Sequence, residues 1–320
     1  MKFHVAGLGF AVPKTVQTAE QLAPLIGWTA EELVRRTGVA RRRITDEPIE
    51  MLGARAAREA LGQVPPDLII NASATPRQAL PDNSVFIQEA LGYSGIPSFS
   101  VHATCLSFMV ATRTALALLQ CGAHQRILVV SAEGGTVSRN FAHPESASLI
   151  GDGAAAAVFE VGDPTAHRSE LLGFSMKTWP EGAALTEVRG FGVRHHPNDA
   201  NTTHEDNLFS MDGPRIFRLA HKRAFVLIRR LLEEAGVTPD EVDVVVPHQA
   251  SNPALKALTA FGFGPDRVIN IVGEYGNCIA ASTPMALYEA QRTGRLRPGA
   301  RVLMLGTGAG LSVAAALFCW

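Results

Sequence analysis

The chain has 320 residues, 47% of them hydrophobic and 18% charged, with a formal net charge of -1 at pH 7. That is enough apolar content for one large core or two fused ones without disulfides or metals. So even a balance supplies no long-range field for nucleic acid or an anionic membrane, and no run of about 20 uninterrupted apolar residues reads as a membrane span.

The four cysteines, at positions 105, 121, 278 and 319, form no CxxC pair and no dense secreted framework. The N-terminal residues Met1 to Gly7 run straight into an apolar segment without a charged leader. Both features predict a cytoplasmic protein.

Val- and Ile-rich runs of strand length alternate with stretches of helical period, the pattern of an α/β protein around a buried sheet. In chain order, the pattern predicts strands at 3–9, 67–73, 97–101, 126–132, 154–161, 170–177, 242–247, 268–272, 301–306 and 311–318. It predicts helices at 49–61, 83–91, 105–121, 215–235, 253–261 and 281–293. The region 178–213, with its Gly, Pro, His and Asn, reads as a loop-rich rim or lid over a pocket. Arg35, Arg36, Arg41, Arg42 and Arg43 form a basic patch that fits either a solvated face or a ligand contact.

The two halves share a weak repeat. The segment from Cys105 through a helix to Gly122, then Arg126-Ile-Leu-Val-Val, echoes Asn277 through a helix to Gly294, then Arg301-Val-Leu-Met-Leu. On this register Cys105 and Asn277 occupy equivalent turns, and a pseudo-twofold axis brings both to one central site. The predicted units are an N-terminal half, 1–165, carrying the cysteine and a C-terminal half, 166–320, carrying His248 and Asn277.

Taken singly, Cys105 fits a buried hydrophobe, His248 a satisfied core histidine and Asn277 a turn residue or cap. Their positions favour chemistry. Cys105 follows the run Ser98-Phe-Ser-Val101 and opens a predicted helix, where unpaired N–H groups and the dipole favour a thiolate. His248 ends the strand Val242 to Pro247, at the end of a sheet where ligands usually bind. A nucleophile with two N–H donors suits a reaction that passes through an enolate. The turn Gly306-Thr-Gly-Ala-Gly310 offers a further backbone N–H, which with that of Cys105 would form an oxyanion hole. It is no dinucleotide loop, because a strand follows it instead of a helix. His195, His196 and His204 lie in a polar loop without a recognisable metal-ligand set, so no metal is expected.

These residues resemble the type III β-ketoacyl-acyl-carrier-protein synthases and their relatives in the thiolase superfamily, nearly end to end. Arg36-Thr-Gly-Val39 with Arg42-Arg-Ile44 looks like the family's first motif, and Cys105 stands in its active-site context. Gly151-Asp-Gly-Ala154 is similar to its mid-chain turn. His248-Gln-Ala-Ser251 resembles its His-Gln-Ala-Asn motif, Gly276-Asn277 with Ala280 to Pro284 its Asn motif, and Gly308-Ala-Gly-Leu-Ser312 its closing turn.

The resemblance implies a thiolase fold, the α/β duplicated five-layered αβαβα architecture, assembled as a homodimer. It implies ping-pong acyl transfer through Cys105, with acyl-CoA or acyl carrier protein thioesters as substrates and no bound cofactor. It places the oxyanion N–H groups at Cys105 and Ala309, a substrate contact at Arg36, and an acyl tunnel shaped by Leu80 across the dimer interface. Three positions depart from the family: Leu33 stands where a tryptophan stacks on adenine, Pro144 where an arginine contacts coenzyme A, and Pro253 where an arginine helps dock carrier protein.

The expected activity is decarboxylative Claisen condensation of an acyl thioester with a malonyl-type thioester, in fatty-acid-like or specialised biosynthesis. Transfer of the acyl group from Cys105 to an oxygen or nitrogen acceptor is the alternative. A non-catalytic partner subunit and a Cys-His-Asn hydrolase fit less well, the first because the Cys-His-Asn set is intact and the second because the duplicated pattern is wrong for papain-like enzymes.

Overall fold

The computed structural model describes residues 2–161 and 169–320. The expected division between residues 165 and 166 lies outside the described residues. Among those described, the strands are β1 (Lys2–Ala11), β2 (Thr15–Thr18), β3 (Arg41–Ile44), β4 (Leu68–Asn71), β5 (Ser98–Ser100), β6 (Arg126–Glu133) and β7 (Gly153–Glu160). The chain continues with β8 (Ser169–Thr178), β9 (Thr186–Glu187), β10 (Ser210–Met211), β11 (Val244–Pro247), β12 (Arg301–Gly308) and β13 (Ser312–Cys319).

Nine of these join in the order β11-β12-β13-β8-β1-β7-β6-β4-β5. The order mirrors itself about the β8–β1 contact, which consists of Lys2 opposite Glu170 and Phe3 opposite Ser169. On one side β4 and β6 are parallel, then β6, β7 and β1 alternate in direction. On the other side β11 and β12 are parallel, then β12, β13 and β8 alternate. The parallel pair β4–β5 has its counterpart in a single bridge, Val245 to Val268.

Five layers result. The helix Ile49–Leu61 and its neighbour Asn83–Leu91 cover the outside of the first half, and the helix Gly213–Ala235 covers the outside of the second. Between the halves lie the helices Ser107–Gln120 and Ser282–Arg292, each touching strands of both. A middle layer must be apolar on opposite faces, and Ser107–Gln120 buries Phe108, Met109, Ala111, Thr112, Ala115, Leu116 and Leu119. The central strands meet them with small side chains. Ala154–Ala157 in β7 and Ala314–Ala316 in β13 are poor strand formers in isolation, yet they are wholly buried and let helices pack close on both faces. The outer helix Gly213–Ala235 needs only one apolar stripe, Ala224, Leu227, Ile228, Leu231 and Leu232. The Asp212 carboxylate caps it by accepting the Arg215 N–H at 3.1 Å, and Gly236 ends it at φ 66°.

Two expected elements change. The run 268–272 makes only the bridge at Val268, and the chain enters the short helix Val272–Tyr275. The run 253–261 divides into an α-turn, Asn252–Lys256, and a 3₁₀ segment, Ala257–Phe261. Among the described residues no helix is long and apolar enough to cross a membrane.

Candidate active site

The sharp turn before the helix Ser107–Gln120 holds Cys105. Thr104 adopts φ 53°, a left-handed conformation that a β-branched residue rarely takes, so the surrounding bonds must impose it. They do. The Leu106 N–H donates to Ala103 O and the Ser107 N–H to Thr104 O, each at 3.1 Å. The Ser107 hydroxyl accepts the Ala103 N–H at 2.9 Å and donates to Thr104 O at 2.7 Å.

The equivalent turn in the second half uses glycine. Gly276 has φ 69°, and a Cβ there would stand 2.5 Å from Leu149 O. Asn277 follows it and pairs with the segment 149–151: its N–H donates to Leu149 O at 2.7 Å and its carbonyl accepts the Gly151 N–H at 3.1 Å. The Asn277 Oδ1 accepts the Ile279 N–H at 2.9 Å. That bond orients the side chain and leaves the amide NH₂ as the group it can offer.

His248 sits just past the end of β11, and its N–H donates to Leu305 O at 2.8 Å. The next residue, Gln249, is fully buried and saturated: it donates to Pro247 O and Ile269 O at 2.9 and 3.1 Å and accepts the Ile271 N–H at 2.9 Å. This three-way tie fixes the turn that aims His248. Gly306 of β12 keeps the centre open, since a Cβ on it would lie 3.0 Å from both His248 Cβ and Leu106 Cδ2. A Cβ on Gly308 would likewise meet Thr104 Oγ1 at 2.6 Å. Bare backbone at β12 is therefore what lets the two halves of the site close on each other.

A cavity of about 460 Å³ is lined by His248, Asn277, Thr307 and Arg36 and by apolar side chains that include Phe217 and Phe261. Phe209 and Met211, from the loop-rich region 178–213, form part of its side as the rim reading expects. Cys105 is half-buried and is not part of this wall. Its own N–H and that of Ala309 both act to lower its thiol pKa.

The electrostatics bear on one expectation. Burial, reinforced by the charge of Glu133, pushes the Cys105 thiol up to about 12, and the two N–H groups oppose this only in part. The helix itself begins at Ser107, two residues after the cysteine. Burial thus opposes the thiolate that a helix N-terminus alone favours. Burial takes His248 the other way, down to about 4, and its Nδ1 has no hydrogen-bond partner among the described residues. A neutral imidazole beside a neutral amide offers hydrogen bonds without a competing charge. Decarboxylation of a malonyl thioester should therefore show no inflection near the usual histidine value of about 6.5. A rate profile from pH 4 to 8 checks this: neutral His248 predicts loss only as the pH falls toward about 4.

The basic patch divides. Arg42 is fully buried and donates to Ser148 O at 2.6 Å, bracing the segment that pairs with Asn277. Arg41 and Arg43 pair with Glu274 at 2.7 and 3.5 Å. Arg36 pairs with Glu32 at 2.7 Å, and its guanidinium lies 4.9 Å over the ring of Trp28. Leu33, placed by resemblance at the adenine-stacking position, is fully buried in the core. The aromatic surface beside Arg36 is supplied by Trp28. Pro144 begins the short helix Pro144–Ala147, Pro253 lines the cavity, and Leu80 is 81% exposed, away from this chain's own cavity wall. His195 faces Asp206 at 3.5 Å, and among the described residues no cluster of His, Cys, Asp and Glu is arranged to hold a metal.

Residues 99–180 match the family described as 3-oxoacyl-[acyl-carrier-protein] synthase III, and residues 232–320 match that family's C-terminal region. The β-ketoacyl-[acyl-carrier-protein] synthase III of Erythrobacter litoralis is 33% identical, with 98% of each chain covered. The chain belongs to the 3-oxoacyl-[acyl-carrier-protein] synthase III family. The synthase III of Aquifex aeolicus is 32% identical over 99% of both chains. A crystal structure of the 3-oxoacyl-[acyl-carrier-protein] synthase III from Aquifex aeolicus superposes with a TM-score of 0.89 at 29% identity, covering 99% of this chain and all of that one. This synthase III family member is accordingly a condensing acyltransferase of the thiolase superfamily, with the thiolase fold.

Proposed function

We propose that the protein joins an acyl thioester to a malonyl-type thioester by decarboxylative Claisen condensation through an acyl-Cys105 intermediate. In the first half-reaction the Cys105 sulfur attacks the donor carbonyl, the oxyanion rests on the N–H groups of Cys105 and Ala309, and the carrier thiol leaves with the proton that Cys105 gave up. In the second, the malonyl carboxylate leaves as carbon dioxide while His248 and Asn277 donate to the thioester oxygen of the developing enolate. Its carbon attacks the acyl carbonyl, and collapse of that adduct expels the Cys105 thiolate, which takes up one proton. The products are a β-ketoacyl thioester, carbon dioxide and the donor's carrier thiol.

The observation that carries this reading is the pair of neutral donors that line one cavity. Hydrolysis or transfer to an alcohol needs a base there, and His248, held near 4, is a poor one. In this reading the donor is an acyl-CoA or acyl carrier protein thioester, and Arg36, which lines the cavity with its guanidinium over Trp28, meets the carrier arm. The functional unit in this reading is a cytoplasmic homodimer. The edge strand β5 exposes Phe99, and Leu80 and Val137 stand 81% and 84% exposed, apolar surface that a second copy would cover while Leu80 reaches its partner's acyl tunnel.

The test supplies wild-type protein with a panel of acyl-CoA and acyl carrier thioesters together with carbon-labelled malonyl thioester. Equimolar β-ketoacyl product and labelled carbon dioxide are expected. Consumption of the acyl thioester with an added alcohol or amine, and no carbon dioxide, would show oxygen or nitrogen transfer instead.

A further inference from the structure

The outer helix Gly213–Ala235 carries an apolar stripe that extends past the core it covers. Ala224, Leu227, Ile228, Leu231 and Leu232 are buried where the helix packs on β8 and β13. Continued toward the N-terminus, the same stripe is Phe217, Ala220, His221 and Ala224, at the i, i+3, i+4 and i+7 spacing of one helix face. These four line the cavity to which His248 and Asn277 belong, and Ala257, Leu258 and Phe261 line it from a second segment. The His221 ring joins the two, lying 5.9 Å from the Phe217 ring and 5.1 Å from that of Phe261. Ala220, Ala224 and Ala257 are short, which leaves a crevice between helix and segment.

Polar side chains of the same lining are engaged elsewhere. Thr37 donates to Leu33 O at 2.8 Å and accepts the Val39 N–H at 3.1 Å. Ser251 caps the helix that follows it by accepting the Ala254 N–H at 3.3 Å, and Arg36 pairs with Glu32. A carrier arm has amide groups, and burying amides against hydrocarbon without partners is costly. An aliphatic chain meets no such cost and gains by leaving water.

We propose that the extender is a 2-alkylmalonyl thioester whose alkyl chain lies in the crevice between the helix face 217–224 and the segment Ala257–Phe261. The inference rests on the condensation reading and names the class of its second substrate. The chain is assigned to the extender because His248 and Asn277 line this cavity and Cys105 does not. In the reaction the bond from the α carbon to the carboxylate breaks, carbon dioxide leaves, and the electron pair forms the enolate. The α carbon, still bearing its alkyl group and one hydrogen, attacks the acyl carbonyl. The bond from Cys105 to the acyl group breaks, the thiolate takes up one proton, and the product is a 2-alkyl-3-oxoacyl thioester.

The test loads wild-type Cys105 with one acyl thioester and then supplies malonyl-, methylmalonyl-, butylmalonyl- or hexylmalonyl-CoA, each labelled in its free carboxylate. The kcat/KM for carbon dioxide release should rise from methyl to hexyl, by about fourfold for each methylene that is buried. Ala220→Phe fills the crevice and should cut the hexyl-to-methyl ratio at least about tenfold. A second series varies the acyl donor instead, with Cys105 acylation read by mass, and its chain-length dependence should be the same in wild type and Ala220→Phe.

A flat or falling extender series on wild type overturns the inference, and this result depends on no variant. An Ala220→Phe that circular dichroism shows folded and that keeps the wild-type ratio also overturns it. Loss of long-donor acylation in Ala220→Phe beside a flat extender series would assign the crevice to the acyl donor, against the proposal. If wild type releases no carbon dioxide from any extender, the condensation reading fails instead, and calorimetric binding decides the crevice. Hexylmalonyl-CoA bound at least about tenfold tighter than methylmalonyl-CoA supports the alkyl subsite, and equal affinity overturns it.

Discussion

His248→Ala and Asn277→Ala should each lose roughly a hundredfold or more of malonyl-thioester decarboxylation, since removal of one oxyanion donor costs on the order of 3 kcal/mol in comparable sites. Acylation of Cys105 should survive in both. In the proposed reaction the acyl oxyanion rests on the N–H groups of Cys105 and Ala309, which belong to different turns from His248 and Asn277. The two losses should also fall short of additive when combined, because both donors address one oxygen. Carbon dioxide release and acyl-protein mass, measured on the same preparations, distinguish this from general damage. Loss of acylation in step with decarboxylation would mean that the two donor sets do not act separately.

Much of this site could be read from the sequence because its parts lie at element ends, where apolar periodicity stops abruptly. His248 after Val244-Val-Val-Pro247 and Asn277 after Gly276 are of that kind, and the structure brings both to the lining of one cavity. Glu133 ends an equally apolar run, Arg126-Ile-Leu-Val-Val-Ser-Ala, and the rule that singled out His248 would have found it. A glutamate there reads as the first solvated residue of a loop, and only its distant donors, the N–H groups of Ala74 and Thr75, reveal otherwise. Gln249 was hidden for the same reason, since its partners are main-chain groups about twenty residues away.

Other elements failed for local reasons. The strand pair β2–β3 carries Arg41, Arg42 and Arg43, and three consecutive arginines mask an alternation in which only the middle side chain is fully buried. The apolar run 268–272 is too short for periodicity to tell strand from helix, and it becomes a bridge followed by a helical turn. Cys105 was placed inside its helix because nothing in a threonine announces the φ of 53° that makes Thr104 a turn. The protonation state followed from that placement. A dipole argument counts the helix end and omits burial and a carboxylate 28 positions farther along the chain, both of which oppose the thiolate.

The second large effect is on the covalent step itself. Cys105→Ala should abolish acylation outright, since the other three sulfurs lack its setting: Cys278 is buried and pushed well above the usual thiol range, Cys121 is exposed on its own turn, and Cys319 is half-buried at the end of β13. The direct measurement is intact-protein mass after incubation of wild type and Cys105→Ala with the acyl-CoA and acyl carrier thioesters of the panel. Wild type should gain one acyl group, located on the peptide containing Cys105, and discharge it when malonyl thioester is added, while the variant gains nothing. An adduct of equal yield on Cys105→Ala, or an acyl group on wild type that malonyl thioester cannot discharge, would contradict the account.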